Sequence, residues 1–225
     1  LNLLEAIRLT CPKARVYQAS SSEMFGNTID EDGFQRETTQ LNPVSPYGCA
    51  KVFSYNICNN YKNSYNMHIS NGILFNHESP RRGINFVTNK VVHGAVDIKQ
   101  GRKNTLTLGN LSASRDWGHA KDYVKAMWLM LQQDEPDNYV CSTGVSHTVQ
   151  DLVNYTFDVL RVDTNLVKTA QQFERPEELQ HLKGDCTKLK TKLGWEPTYT
   201  FETMLDEMIF VAANKLNKDV DTHKY

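Results

Sequence analysis

Ser45-Pro46-Tyr47-Gly48-Cys49-Ala50-Lys51 opens a helical pattern that runs to about Met67. Pro46 suits a first helical position, because its missing N–H would have no intrahelical partner there. Tyr47 and Lys51 are spaced i, i+4, which puts both side chains on one helix face, about 5–6 Å apart at Cβ. A tyrosine ordinarily ionises near pH ~10 and is a poor base at neutral pH. An ammonium held beside it favours the phenolate. The pair is therefore a candidate proton shuttle for a hydroxyl that is losing hydride. The spacing alone is common, and a helix can carry one tyrosine and one lysine without any such chemistry.

A second stretch upstream adds weight. Arg15-Val16-Tyr17-Gln18-Ala19 reads as a short buried strand, and it runs directly into Ser20-Ser21-Ser22-Glu23. Open α/β sheets place ligands at the C-terminal ends of their strands. Hydroxyls and a carboxylate at such an end are candidate site groups, although a serine-rich turn with a solvated glutamate would look the same. The two stretches in this order, separated by one loop, form a more specific pattern than either alone.

Composition bounds the alternatives. The chain has 225 residues, enough to bury a sizeable core in one or two domains. Hydrophobic residues make up 40% and charged residues 23%, ordinary for a globular protein. The net charge of −1 gives no broad basic surface for nucleic acid or an anionic membrane. No run of ~18 apolar residues reads as a membrane span, and no signal-peptide pattern opens the chain. Cysteines at 11, 49, 58, 141 and 186 are odd in number and form no CxxC pair. That fits reduced thiols in the cytoplasm better than a disulfide framework.

Taken in order, Leu1–Thr10 reads as the last turns of a helix, so the sequence is expected to begin inside a fold. The 12 glycines contain no Gly-x-Gly-x-x-Gly, the fingerprint a dinucleotide-binding sheet carries in its first strand–helix turn. Asn27–Asn42 is a polar loop. The helix from Tyr47 should bury Ala50, Phe53, Ile57 and Tyr61 as one stripe. His68–Phe75 reads as a strand and Asn76–Gly83 as a loop. Phe86–Gln100 reads as a helix stopped by Gly101. Thr105–Leu108 is a strand, His119–Gln133 a helix, Tyr139–Ser142 a strand and Val149–Leu160 a helix. A short helix follows Asp185, a suitable N-cap, and Phe201–Lys215 is the last helix. Alternating strands and helices argue for α/β with a parallel sheet.

Several stretches resemble the extended short-chain dehydrogenase/reductase family, and within it the GDP-mannose 4,6-dehydratases. They are Gln18–Glu23, Ser45–Lys51, Asn71–Gly83, Phe86-Val-Thr88, Arg115-Asp-Trp-Gly-His-Ala120, and Arg175-Pro176 followed by Gly184-Asp185. The Phe75–Gly83 run is the most specific of these. The resemblance implies the C-terminal portion of a doubly wound Rossmann-type parallel sheet plus a smaller mixed α/β substrate-binding domain. Residues 1–75 would be the remainder of the NADP-binding domain, with its first strands upstream of Leu1. Residues 76–225 would mainly bind nucleotide-sugar, with some segments returning to the first domain.

The activity implied is dehydration of GDP-mannose with NADP as transient hydride carrier, in a homo-oligomer. Catalysis would rest on Ser21, Glu23, Tyr47 and Lys51. Tyr47 would take the O4 proton beside Lys51, which also reaches the nicotinamide ribose. Ser21, usually threonine in the family, would hold O4, and Glu23 would be the C5 base. His77 and Arg82 match cofactor contacts. Asn76, Lys90, Arg115, Arg175 and Glu178 would bind substrate, the arginines offering fixed forks of donors to phosphate. Asn89 stands where the resemblance leads to arginine, which touches any phosphate or subunit contact made there. No metal is expected, since His77-Glu78 lacks a second histidine at His-Glu-x-x-His spacing. His119 and His147 read as structural, and Met127 and Met130 as core. Two other readings stay open. A nucleotide-sugar 4-epimerase would need Tyr47 and Lys51 but no C5 base, and an inactive fragment would only bind nucleotide-sugar.

Overall fold

The structure is a computed structural model that describes residues 1–170, 179 and 182–221. In chain order the elements begin α1 (Asn2–Thr10), β1 (Val16–Ser21), α2 (Pro46–Tyr65), β2 (Ile69–Leu74), β3 (Asn76–Glu78) and α3 (Val87–Lys99). They continue β4 (Leu106–Leu108), β5 (Ser114–His119), α4 (Ala120–Gln132), β6 (Asn138–Cys141) and β7 (Ser146–Thr148). The last are α5 (Val149–Leu160), β8 (Val167–Thr169), α6 (Thr187–Leu193) and α7 (Phe201–Asp221).

The main sheet is parallel, with order β1-β2-β6. Ser21 lies opposite Leu74, and Leu74 opposite Cys141, so the C-terminal ends of the three strands align. Every residue of β2 is buried, as expected of a strand with neighbours on both sides and helices on both faces. On one face Ile69 packs with Leu4 of α1 and with Cys58 and Tyr61 of α2. On the other, Leu74 and Tyr139 pack with Tyr123 and Met130 of α4, Leu189 of α6, and Trp195. The architecture is α/β with helices on both faces of the parallel sheet.

A second core lies between α3, α5 and α7. Val91, Val92 and Ala95 of α3 meet Leu152, Val153 and Phe157 of α5, and Met204, Leu205 and Met208 of α7. Around it stand two small sheets, β3-β5-β7 and β4-β8. In the first, β5 pairs parallel with β3 and antiparallel with β7.

Several elements differ from the sequence expectation. Asn76–Gly83 is not all loop, because Asn76–Glu78 forms β3. Ser114–His119 is a strand despite its Arg, Asp and Gly, since flanking strands on both sides hold it extended. The three-residue strands β7 and β8 are too short to show an alternation. The α2 stripe holds only in its C-terminal half. Tyr61 is buried and Ile57 packs against the same cluster, as expected, but Phe53 is 59% exposed and Ala50 is exposed, whereas Gly48 and Cys58 are buried and Val52 and Tyr55 pack inward. The helix carries apolar residues on both faces, so periodicity alone does not choose between them. Helix α6 starts at Thr187 with Cys186 at the cap position, while Asp185 Oδ1 accepts from Thr187 N at 2.9 Å. Helix α7 runs on to Asp221.

Buried polar clamps lock the two cores together. The Asp122 carboxylate, in the first turn of α4, accepts from Thr198 Oγ1 at 2.5 Å, Thr198 N at 2.9 Å and Tyr199 N at 3.0 Å. These residues lead into α7. Asp122→Ala would leave two backbone N–H groups without their acceptor, at about 1–3 kcal/mol each. The expected loss of unfolding free energy is about 2–4 kcal/mol, read from urea denaturation, with Asp122→Asn losing less. A variant within about 0.5 kcal/mol of wild type would show that water replaces the clamp.

Candidate active site

The site is built where β1 ends. Ser21, the last strand residue, accepts from Glu23 N at 3.2 Å through its Oγ and starts a 3-10 turn over Ser22–Phe25. Met24 and Phe25 are fully buried, which pins the turn and leaves Glu23 facing the cleft. Gly26 closes the turn at φ 58°, and a Cβ there would lie 2.0 Å from Asn42 O, so only glycine fits.

The first turn of α2 meets this turn. Ser45 is the N-cap, its Oγ accepting from Gly48 N at 3.0 Å, and Pro46 follows at the first helical position. Ser45 Oγ also donates to Glu23 Oε2 at 3.1 Å. Tyr47 projects outward, 52% exposed. Lys51 Nζ donates to Ala19 O of β1 at 2.8 Å and lies 5.5 Å from the Tyr47 ring centroid. The helix and the strand end therefore fix the Tyr47–Lys51 pair jointly.

Ser21, Glu23, Tyr47, Asn76, His77 and Arg82 line one cavity of about 790 Å³. Lys51 is not on its wall and stands behind Tyr47, held to β1. A second cavity of about 320 Å³ adjoins, lined by Lys90, Asn110 and Arg115 among others. Glu23, Asn76, Arg82 and Phe86 border both cavities. Of the residues singled out from sequence, the structure thus gathers Ser21, Glu23, Tyr47, Asn76, His77, Arg82, Lys90 and Arg115 around two adjoining spaces. Arg175 and Glu178 lie outside the described residues.

Neighbouring contacts set the electrostatics. His77 Nδ1 lies 2.9 Å from Phe75 O, and its ring stacks on Tyr123 with centroids 5.0 Å apart. Burial lowers its pKa, and the nearby Arg82 charge lowers it further. Arg82 pairs with the buried Glu78 at 3.2 Å, and its guanidinium sits 3.5 Å from the Phe86 ring centroid. Burial raises the Glu78 pKa, against the opposing pull of Thr88 Oγ1, which donates at 2.6 Å, and of Arg82. Asn89, on the buried side of α3, donates through Nδ2 to Arg82 O. At this position asparagine braces the Arg82 loop from within. Arg115 Nη1 donates to Leu179 O at 2.6 Å, drawing that residue over the second cavity.

Sequence reasoning missed Ser45 and Glu78 as site groups. Ser45 was visible only as the residue before Pro46. In sequence, Glu78 stands out only as a neighbour of His77. The two histidines read as structural have packing partners: His119 caps α4 by accepting from Lys121 N at 3.0 Å, and His147 stacks on Phe201 at 3.9 Å. Met130 is fully buried in the core. Among the described residues, no helix is long and apolar enough to cross a membrane.

Comparison with known proteins bears on the family and the fold. The family model for GDP-mannose 4,6 dehydratase matches residues 1–208. The chain is 43% identical to the human (Homo sapiens) GDP-mannose 4,6 dehydratase, covering 93% of this chain and 61% of that protein. It is 47% identical to GDP-mannose 4,6 dehydratase 2 of Arabidopsis thaliana, covering 93% and 57%. It is 43% identical to the Vibrio cholerae GDP-mannose 4,6-dehydratase, covering 93% and 64%. The chain thus spans roughly three-fifths of the length of these relatives. Among solved structures, dTDP-glucose 4,6-dehydratase from Bacillus anthracis in complex with NAD superposes at TM-score 0.84 and 23% identity, covering 96% of this chain and 66% of that one. RMD from Pseudomonas aeruginosa complexed with NADPH superposes at TM-score 0.85 and 21% identity, covering 95% and 71%. At that identity the two structures speak to the fold.

Proposed function

The chain belongs to the GDP-mannose 4,6-dehydratase family, and from that membership we propose that it carries the catalytic cleft of a lyase converting GDP-mannose to GDP-4-keto-6-deoxy-mannose. The observation that carries the reading is the placing of Glu23 and Tyr47 on the wall of one cavity that Ser21 also lines. A 4,6-dehydration needs two proton-handling groups on one sugar, at O4 and at C5. A phenol backed by an ammonium and a carboxylate at a strand end are those two groups.

In this reading the Tyr47 phenolate, stabilised by the Lys51 ammonium, accepts the O4 proton and becomes a neutral phenol. The Ser21 hydroxyl holds O4 by a hydrogen bond. Once C4 is a ketone, the C5 proton is acidified. Glu23 removes it and passes a proton to the departing C6 hydroxyl, which leaves as water. Glu23 then carries a solvent-derived proton back to C5. The diphosphate and nucleoside lie toward Lys90 and Arg115 in the adjoining cavity.

NADP is the cofactor proposed. Residues present fit a nicotinamide at the larger cavity: the buried Ser20 Oγ on its wall has no hydrogen-bond partner, and a carboxamide would supply one. Lys51, His77 and Arg82 would hold the ribose and phosphate portions. Such a group would supply reversible storage of the hydride that leaves C4 and returns to C6 as C5 is reprotonated. Residues 1–75 would form part of the cofactor-binding domain, and residues 76–225 mainly the nucleotide-sugar region.

The test is turnover of GDP-mannose by the complete gene product with NADP. The expected product is lighter by one water and carries deuterium at C5 when formed in deuterated water. A product of unchanged mass inverted at C4 would replace dehydration with epimerisation. Binding of GDP-mannose without any product would leave only a binding protein.

A further inference from the structure

Ser45 is placed between two structures that both depend on its single hydroxyl. Its Oγ accepts from Gly48 N at 3.0 Å and donates to Glu23 Oε2 at 3.1 Å. The roles follow from chemistry. A backbone N–H can only donate, so the oxygen accepts there, and its one proton remains for the carboxylate. The result is a relay from the N-terminal turn of α2, through the hydroxyl, to the carboxylate of Glu23. Helix N-termini carry partial positive charge, and linked hydrogen bonds polarise one another.

The backbone shows that this contact is built in. Gly48 has no Cβ, and one added there would lie 2.8 Å from Glu23 O and 2.9 Å from Pro43 Cβ. The first turn of α2 therefore seats directly against the Glu23 backbone. Pro46 fixes the entry of the helix, and Ser45 is extended at φ −134° and ψ 152°. Ser45 also lines the larger cavity beside Glu23 and Tyr47.

We propose that Ser45 is a positioning residue for Glu23, holding its carboxylate in the cleft through the same hydroxyl that caps α2. The proposal rests on the reading of Glu23 as the C5 base. The coupling has a consequence for the order of events on the sugar. The hydroxyl serves C5 proton removal, while C4 oxidation through Tyr47 and Lys51 does not depend on it.

Three variants separate positioning from capping. Ser45→Ala removes both the cap and the donor. Ser45→Gly removes the donor but remains an acceptable N-cap. Ser45→Thr keeps both. In the complete gene product, Ser45→Ala and Ser45→Gly are expected to dehydrate GDP-mannose about 10–100-fold more slowly, the worth of a hydrogen bond to a charged group. KM should stay within about twofold, so that the loss falls on kcat. Ser45→Thr should restore the rate. Side-chain carboxyl NMR at one fixed pH supplies a readout that needs no turnover: the Glu23 resonance, assigned by its loss in Glu23→Gln, should move in Ser45→Ala and Ser45→Gly and return to its wild-type position in Ser45→Thr. Ser45→Gly with wild-type rate and an unmoved Glu23 resonance would overturn the proposal and leave Ser45 a helix cap. If wild type itself fails to dehydrate GDP-mannose, the functional reading falls, and the carboxyl resonance alone decides whether Ser45 holds Glu23.

Discussion

Glu23→Gln is expected to slow dehydration of GDP-mannose by about 10²–10⁴-fold, the usual worth of general acid–base catalysis. Glutamine keeps the shape of the side chain and can still accept from Ser45 Oγ, so the first turn of α2 should stay seated. What is lost is the base for C5 and the proton it hands to the departing C6 hydroxyl. Tyr47 and Lys51 are untouched, so oxidation at C4 should suffer less. The variant should stall after that step, with reduced nicotinamide building up on the enzyme, followed by absorbance. Solvent deuterium should enter C5 of the wild-type product and enter far more slowly in the variant. Undiminished dehydration by Glu23→Gln would remove Glu23 from the mechanism. It would also favour a 4-epimerase reading, which needs no carboxylate there.

The parts of this protein that were legible in the sequence are those specified locally. Pro46 and the Tyr47–Lys51 spacing announce the start of a helix with both groups on one face, and α2 has that start. The strand before Ser20 and the helix over Val149–Leu160 are marked by their own residues, although Val16, Tyr17 and Gln18 are half-buried and Ala19 exposed where a buried strand was expected, because β1 lies at an edge of the described sheet. What was illegible depends on distant partners. β5 is a strand because β3 and β7 lie beside it, and no propensity in Ser-Arg-Asp-Trp-Gly-His would have chosen that. Which residues of α2 turn inward was set by contacts with Ile69 and the Glu23 turn, so of the expected stripe Ile57 and Tyr61 pack inward while Ala50 and Phe53 face out. The bond from Ser45 to Glu23 spans a separation of 22 residues and leaves no trace in the spacing of either motif. Lys90 and Arg115 come from α3 and β5, yet both reach the second cavity. Such convergence is a property of the packed chain.

Tyr47→Phe is expected to lose turnover of GDP-mannose by about 10²–10⁴-fold as well, but at a different point. The ring would remain beside Lys51, whose ammonium is fixed independently by Ala19 O at 2.8 Å. Tyr47 is 52% exposed, so removal of one hydroxyl should change unfolding free energy by no more than about 0.5 kcal/mol. Binding of GDP-mannose should be nearly unchanged. The missing atom is the acceptor for the O4 proton, and without it the alcohol cannot become a ketone. No ketone means no acidified C5 proton, so Glu23 has nothing to remove even though it is intact. Tyr47→Phe should therefore show neither reduced nicotinamide nor exchange at C5, whereas Glu23→Gln should show the first without the second. A double variant should resemble Tyr47→Phe alone, because the earlier block hides the later one. If Tyr47→Phe still accumulated reduced nicotinamide, the O4 proton would be leaving by another group, and Ser21, on the same cavity wall, would be the first to replace.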